Sequence, residues 1–376
     1  MSKKKRMKNK MTKADRRKMM RRRRRKRIAV LIAEVLVLSV LCVIAYGIFK
    51  INKMDFNIIN QEKLEVYKDT GPYTNIALFG LDSRYGELEG GVQSDCIMIA
   101  SINNETNDVK LISVYRDTLL QQKDGTYNKA NSAYNMGGPE EAISLLNRNF
   151  DLDIRNYVSV NFEALVRVID ALGGIDIEMT EEEAHWCNLY GAETARVIGD
   201  GWSDIEEKAG IQHLDGIHGV AYARIRYTEG MDFKRAERQR IVLEKVAEKA
   251  KEANLVTLNK IIDEVFPLIS TSFSMKELLG FASNVLDYNI VDTTGFPYKV
   301  TTCENVLNHE GSFVVPIGFE NNVIQLHQEV FEEEAYEPSD KVRQIEEDII
   351  YLTNITEETE AIQTTFGGEG QNEGTQ

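Results

Sequence analysis

Residues 222–240, YARIRYTEGMDFKRAERQR, hold five arginines in nineteen positions: Arg224, Arg226, Arg235, Arg238 and Arg240. Arg224 and Arg226 are two apart, which puts both side chains on one face of an extended segment. Asp232 reads as the N-cap of a following helix, in which Arg235 and Gln239 are four apart and share a face near the helix start. Planar guanidinium groups beside a helix N-terminus suit a di- or polyphosphate, because each binds two oxygens at once and the N-terminus adds unpaired N–H groups. The plain alternative is a set of solvated pairs with Glu229 and Glu237. It is strong for the mid-helix run ERQR and weaker for two arginines alternating with Ile225 and Tyr227.

Acids occupy related places. Asp82 follows the apolar run Ile76 to Leu81 and Asp95 precedes the run Cys96 to Ala100, so both belong to strand edges that can share a rim. Two carboxylates there would form a Mg²⁺ or Mn²⁺ site completed by phosphate oxygens and water. Aspartate at a strand end is also ordinary turn chemistry, and spacing alone favours that reading. Arg116 and Asp117 end a third apolar run, where α/β layers place their binding crevice. His185, His213 and His218 are too scattered to hold a metal and read as surface or structural. GxSxG, P-loop, GxGxxG and HExxH patterns are absent, which leaves serine catalysis and the nucleotide-binding motifs without support.

The elements that must position these groups are legible. NIALFGLDS, CIMIASIN and VKLISVYRD read as buried strands. PEEAISLLNRNF starts a helix at Pro139, and FEALVRVIDALGG puts Phe162, Leu165, Val166 and Ile169 on one helical face before Gly173 and Gly174 stop it. For any one of these residues the expected role is core packing. Thr180 and Glu183 form a capping box, and further helices follow from residue 232, at LVTLNKIIDEVFPLI, at MKELLGFASNVLDY and at PSDKVRQIEEDIIYL. Strands with helices threaded through them imply α/β or α+β layers.

Charge divides the chain. Residues 1–27 carry 17 Lys and Arg against Asp15 alone, whereas residues 28–376 carry 28 basic and 58 acidic side chains. Between them Ile28 to Phe49, with Glu34 its only ionisable group, spans about 33 Å as a helix, against a hydrocarbon core of roughly 30 Å. The run is too long for a signal-peptide core and reads as one transmembrane helix, with the basic tail in the cytoplasm and everything after residue 50 outside. The expected divisions are a tail at 1–27, a membrane helix at 28–49, a stalk at 50–71, one domain at 72–353 and a disordered polar tail at 354–376. Cys42, Cys96, Cys187 and Cys303 show no metal spacing, and one disulfide among the outer three is open.

At these residues the sequence resembles the LytR–CpsA–Psr family of cell-wall enzymes. The matching pieces, in family order, are NIALFGLDSR, SDCIMIASIN, LISVYRDT, NKANSAYNMGG, NYVSVNFEALVRVIDALGGIDIEM, LDGIHGVAYARIR and DFKRAERQR. The resemblance implies an α/β fold with a central mixed sheet flanked by helices and a tunnel for lipid, which the face of Phe162, Leu165, Val166 and Ile169 would then line. It implies a membrane-anchored phosphotransferase of a Gram-positive-type bacterium, moving an anionic glycopolymer such as teichoic acid or capsule from a polyprenyl-pyrophosphate carrier to a peptidoglycan sugar hydroxyl. The family's metal-binding aspartates fall on Asp82 and Asp95, and its pyrophosphate-binding set on Arg84, Arg116, Arg224, Arg226, Arg235 and Gln239; Arg238 and Arg240 stay outside that set. Asp232 falls on a family acid proposed to act in catalysis, and Asp117 is the second candidate base beside Arg116. Partners are then the lipid-linked glycopolymer, peptidoglycan and the membrane, with no nucleic acid expected. Two positions depart from the family pattern: Gln93 replaces an arginine near the acids, and Tyr115 replaces a proline at a strand end. A polyprenyl-pyrophosphate hydrolase would use the same residues, and a non-enzymatic regulator of envelope genes would use the basic tail.

Overall fold

The expected buried runs pair as neighbours in one sheet. In the computed structural model, which describes residues 55–56, 59–81, 91–265, 268–274, 277, 281, 286–306 and 311–364, the strands begin with β1 (Asp55–Phe56), β2 (Tyr73–Leu81), β3 (Ser94–Asn103) and β4 (Asp108–Val114). A small hairpin of β5 (Leu119–Gln121) and β6 (Tyr127–Lys129) follows, then β7 (Asn156–Asn161) and a second hairpin of β8 (Ile175–Met179) and β9 (Gly210–Leu214). The last are β10 (Ile269–Thr271), β11 (Asn289–Phe296) and the pair β12 (Val300–Glu304) and β13 (Ser312–Pro316). Among the described residues the main sheet has the order β1-β10-β7-β2-β3-β4-β11. It is mixed: β2 runs parallel to β7 and antiparallel to β3, and β4 is parallel to β11.

Helices cover both faces. They are α1 (Ser132–Phe150), α2 (Phe162–Ala171), α3 (Glu181–Ile198), α4 (Gly216–Arg224), α5 (Met231–Glu252), α6 (Leu255–Val265), α7 (Phe319–Phe331) and α8 (Asp340–Thr353). Local chemistry fixes their ends. Asn161 caps α2 through Ala164 N–H, the Thr180–Glu183 capping box opens α3, and Ser339 caps α8 through Val342 N–H. α1 starts about two turns earlier than Pro139 because non-helical Gly137 and Gly138 join two helical pieces across a kink. On one face Phe79, Ile97 and Ile112 pack with Tyr134, Leu146, Phe150, Phe319 and Val342 in the largest core cluster. On the other face Ile76, Ala100 and Leu111 form a smaller one, and a third ties α3, α4 and α5 to the β8–β9 hairpin.

Several expectations are corrected. YARIRY is not extended: α4 runs to Arg224, and its apolar positions Val220, Ala221 and Tyr222 are buried on neighbouring helices, so tertiary packing overrides the alternating pattern. Asp232 lies in the first turn of α5, whose N-cap is Gly230 in the left-handed region. Of the tail expected at 354–376, residues 354–364 run along the domain with Ile355 buried and Ile362 N–H bonded to Val300 O at 2.9 Å, and 365–376 lie outside the described residues. Cys96, Cys187 and Cys303 are free thiols. The cytoplasmic tail 1–27, the apolar run 28–49, most of the stalk before residue 59, Asp82 and Arg84 lie outside the described residues. Among the described residues no helix is long and apolar enough to cross a membrane.

Candidate active site

Asp95 is the residue around which the site is arranged. In the β2–β3 ladder Gly80 pairs with Cys96 and Leu81 with Ser94, so Asp95 is an extra residue on its strand. Such a bulge turns a side chain out of the ladder. Gly80 permits it, since a Cβ there would stand 2.8 Å from Cys96 Cβ. Arg116 leaves the end of β4 and donates from Nη1 to Asp95 Oδ1 at 2.8 Å. Arg226, two residues past α4, reaches Asp95 Oδ2 with Nη2 at 3.4 Å, and Arg235 Nη2 donates to Asp95 O at 3.4 Å. Asp232 Oδ1 faces the same three guanidinium groups, at 3.2 Å from Arg235, 3.5 Å from Arg226 and 3.9 Å from Arg116.

Electrostatics follows from this crowding. Burial alone would raise the Asp95 carboxyl, but Arg116, Arg235 and Arg226 outweigh it and hold the group below its ordinary value, so it is ionised at neutral pH. Burial would lower Arg116, yet Asp95, Asp117 and Asp232 raise it. Arg235 goes the other way. Burial, with Arg116 and Arg226 as like-charged neighbours, pushes it down to about 10, still protonated at neutral pH. Arg235 Nε is buried with no hydrogen-bond partner among the described residues, and Arg116 Nε meets Asp117 Oδ2 at 3.3 Å without forming a hydrogen bond. Orphan guanidinium donors in a buried place are costly unless an anion completes them.

Around these groups lies a series of connected chambers. A polar one of about 250 Å³ is lined by Asp95, Arg224, Arg226, Arg235, Gln239 and Tyr190. Arg224 enters it from the end of α4, held by Thr194 Oγ1 at 2.8 Å and stacked on Phe162 with 4.8 Å to the ring centroid. Gly80, Cys96, Phe162, Arg224 and Gln239 also line an adjoining apolar chamber of about 230 Å³, walled by Leu78, Met98, Val158, Val160, Leu165 and Val242. The face read from α2 therefore divides its work, with Phe162 and Leu165 on the chamber and Val166 and Ile169 in the core.

Asp95, Arg116, Asp117, Arg224, Arg226, Arg235, Gln239 and Asp232 thus converge, although Arg224 and Arg226 arrive from a helix end rather than a strand. Arg238 has a different job. It is fully buried and donates to Glu183 Oε1 at 2.9 Å, Ile225 O at 3.1 Å and Thr228 Oγ1 at 2.6 Å, fastening the loop that carries Arg226. Tyr115 does more than end a strand. Its ring meets Phe233 of α5 edge-on at 4.7 Å, and Gly295 makes room, since a Cβ there would stand 2.1 Å from Tyr115 Oη. Sequence reasoning missed an aromatic shelf at the rim of the arginine chamber, where Tyr227 lies 5.0 Å from Trp186 and 6.4 Å from Tyr190, centroid to centroid. The signal was present as the i, i+4 pair Trp186 and Tyr190 on α3. His185, His213 and His218 pair with Glu207, Asp176 and Asp215 away from the chambers.

Arginines gathered beside an apolar chamber on one face of an α/β sheet offer a charged end and an apolar end, a chemistry that suits an amphipathic anion. Residues 41–316 match the LytR_cpsA_psr family, and the chain belongs to that family. The Bacillus subtilis polyisoprenyl-teichoic acid–peptidoglycan teichoic acid transferase TagV is 27% identical over 213 residues, 52% of this chain and 50% of that protein. The Enterococcus faecalis transferase TagU is 29% identical over 218 residues, 57% of this chain and 65% of that one. The chain thus spans about half to two thirds of the length of these curated relatives. Among solved structures, TagT bound to LI-WTA is similar with a TM-score of 0.55 and 18% identity, over 72% of this chain and 94% of that one. TagT with bound octaprenyl pyrophosphate lipid gives 0.52 and 17%, over 72% and 93%. At these identities the likeness is one of fold.

Proposed function

We propose that the protein is a membrane-anchored transferase that moves an anionic glycopolymer from a polyprenyl-pyrophosphate carrier to a peptidoglycan sugar hydroxyl, making a phosphodiester. The observation that carries this reading is the shared wall of the two chambers: Arg224 and Gln239 border both, so a pyrophosphate among the arginines has its hydrocarbon chain beside Phe162 and Leu165. The names of the relatives, transferases of polyisoprenyl-linked teichoic acid, support it. The apolar run at 28–49 would anchor the chain once, with residues 1–27 in the cytoplasm and the domain on the outer face of a Gram-positive-type cell.

The reaction is one displacement at phosphorus. The acceptor oxygen forms a bond to the phosphorus that carries the polymer, the bond from that phosphorus to the bridging oxygen breaks, and polyprenyl phosphate leaves. Arg116, Arg226 and Arg235 bind the pyrophosphate oxygens and stabilise charge that grows on the leaving phosphate; Arg84 joins them in this reading. Asp232 holds the three guanidinium groups in register, and Asp117, beside Arg116, takes the acceptor proton. Asp95 offers a carboxylate at the phosphate site, its oxygens facing Arg116 at 2.8 Å and Arg226 at 3.4 Å, and a divalent cation would share it with the hard oxygens of the substrate. Asp95 and Asp82 would hold Mg²⁺ or Mn²⁺, which when bound neutralises pyrophosphate charge. The test is product analysis with the purified full-length protein, a lipid-linked polymer and peptidoglycan oligomers. Polymer joined to glycan, with polyprenyl monophosphate released, is expected; free polymer phosphate alone would mean a hydrolase.

A further inference from the structure

Arg116 and Asp117 have a second side. Beyond them, away from the arginine and apolar chambers, lies a separate polar chamber of about 330 Å³ lined by Gln93, Asn128, Lys129 and Asn131 as well as by Arg116 and Asp117. Asp117 stands on the boundary, since it also lines the small cavity that Asp95, Asp232 and Arg235 share. Its carboxylate is held from both directions, with Arg116 Nε at 3.3 Å from Oδ2 and Lys129 Nζ at 3.0 Å from Oδ1. Main-chain bonds fix the frame: Val314 N–H donates to Asp117 O at 2.9 Å and Asn131 N–H to Arg116 O at 3.0 Å.

We propose that this chamber is the acceptor site, and that it takes an uncharged sugar of the glycan by its hydroxyls; the proposal rests on the transferase reading above. Three observations lead there. The order of the chambers is apolar, arginine-rich, Asp95–Arg116–Asp117, then this one, each sharing residues with the next. In-line displacement requires the attacking oxygen to approach opposite the leaving group. With polyprenyl phosphate leaving toward the apolar end, the acceptor enters from the far end.

The charge of the lining is the second observation. The arginine chamber has Arg224, Arg226 and Arg235 and suits an anion. Here the cations of the lining are matched by carboxylates, Lys129 by Asp117 at 3.0 Å and Arg116 by Asp95 at 2.8 Å and Asp117 at 3.3 Å, and Gln93 and Asn128 offer amides that donate and accept, the pairing a polyol needs. Gln93 stands where the family pattern has an arginine, which takes one cation from this wall and fits it further to a neutral ligand. Third, the donor already has room for both its arms, the lipid in the apolar chamber and the polymer at the open rim beside Tyr190 and Tyr227. In the step itself the acceptor oxygen bonds to phosphorus, the bridging P–O bond breaks, and the hydroxyl proton passes to the Asp117 carboxylate and then to water.

The experiment uses the full-length protein in detergent, with Lys129→Gln and Gln93→Ala made separately so that misfolding of one does not decide the matter. Donor affinity is measured with a polyprenyl pyrophosphate and transfer with peptidoglycan oligomers of increasing concentration. In at least one folded variant the expected result is an acceptor KM raised about tenfold, the equivalent of one or two lost hydrogen bonds, with donor Kd unchanged. Unchanged acceptor KM in both variants overturns the proposal. So does a raised donor Kd with acceptor KM unchanged, which would give the chamber to the donor polymer. A wild-type protein that makes no polymer–glycan product at all would instead remove the transferase reading itself.

Discussion

Replacing Arg235 by glutamine should leave the fold intact while weakening the ligand, the reverse of what a buried ion pair usually does. Its side chain is only 6% exposed, and breaking a buried pair commonly costs about 3–5 kcal/mol because the partner is left charged and alone. Here the partner is not left alone: Asp232 keeps Arg226 at 3.5 Å and Arg116 at 3.9 Å. The substitution also removes one of three crowded cations, the one that burial and its neighbours push down to about 10. Stability should therefore change by no more than about 1 kcal/mol, a Tm shift of about 3 °C or less for a domain of this size. Losing a charge-assisted hydrogen bond to phosphate costs about 1.5–3 kcal/mol, so Kd for a polyprenyl pyrophosphate should rise about 10- to 150-fold. Thermal melts and a binding titration on the same preparation check both numbers. A Tm lowered by more than about 8 °C with Kd unchanged would refute the reasoning, because Arg235 would then be a structural residue.

Arg238→Met should do the opposite, destabilising the domain by about 3–5 kcal/mol in a denaturation curve, with much of the loss recovered in the double variant with Glu183→Leu. Leu165→Trp should fill the apolar chamber and raise KM for a long-chain donor about tenfold or more while a short-chain pyrophosphate is unaffected, as steady-state rates would show. Chelation of divalent ions should abolish transfer, and Mg²⁺ or Mn²⁺ should restore it. His327 is buried and stacked on Tyr336 at 3.6 Å, and burial lowers it from its ordinary 6.5. A depressed histidine contributes stability above pH 6.5 and loses it as pH falls through its folded value, so Tm should drop below pH 6.5, and less steeply in His327→Gln.

Strands β2, β3 and β4 were legible because each is a continuous apolar run bounded by polar residues, and the start of α3 was legible because the Thr180–Glu183 capping box marks it. YARIRY was misread for a physical reason. Its two arginines alternate with Ile225 and Tyr227 as in a strand, yet the preceding Val220, Ala221 and Tyr222 are buried by packing against α2, α3 and α5, a tertiary fact that spacing does not carry. The structure still brings Arg226 to Asp95, from beyond a helix end rather than from a strand. Arg238 shows the limit most plainly. It lies three residues from Arg235 on the same helix, but its partner Glu183 is 55 positions away, and only the fold makes it structural. The acceptor chamber was not legible at all, because Gln93, Asp117 and Lys129 belong to three segments with no shared pattern.

The most direct test of the central claim is a structure of the full-length protein with a polyprenyl pyrophosphate bound. The two phosphates should lie within hydrogen-bond distance of Arg116, Arg226 and Arg235, with the first prenyl units against Phe162 and Leu165. A pyrophosphate bound elsewhere, or a lipid that runs away from the Gln239–Arg224 wall, would contradict the account.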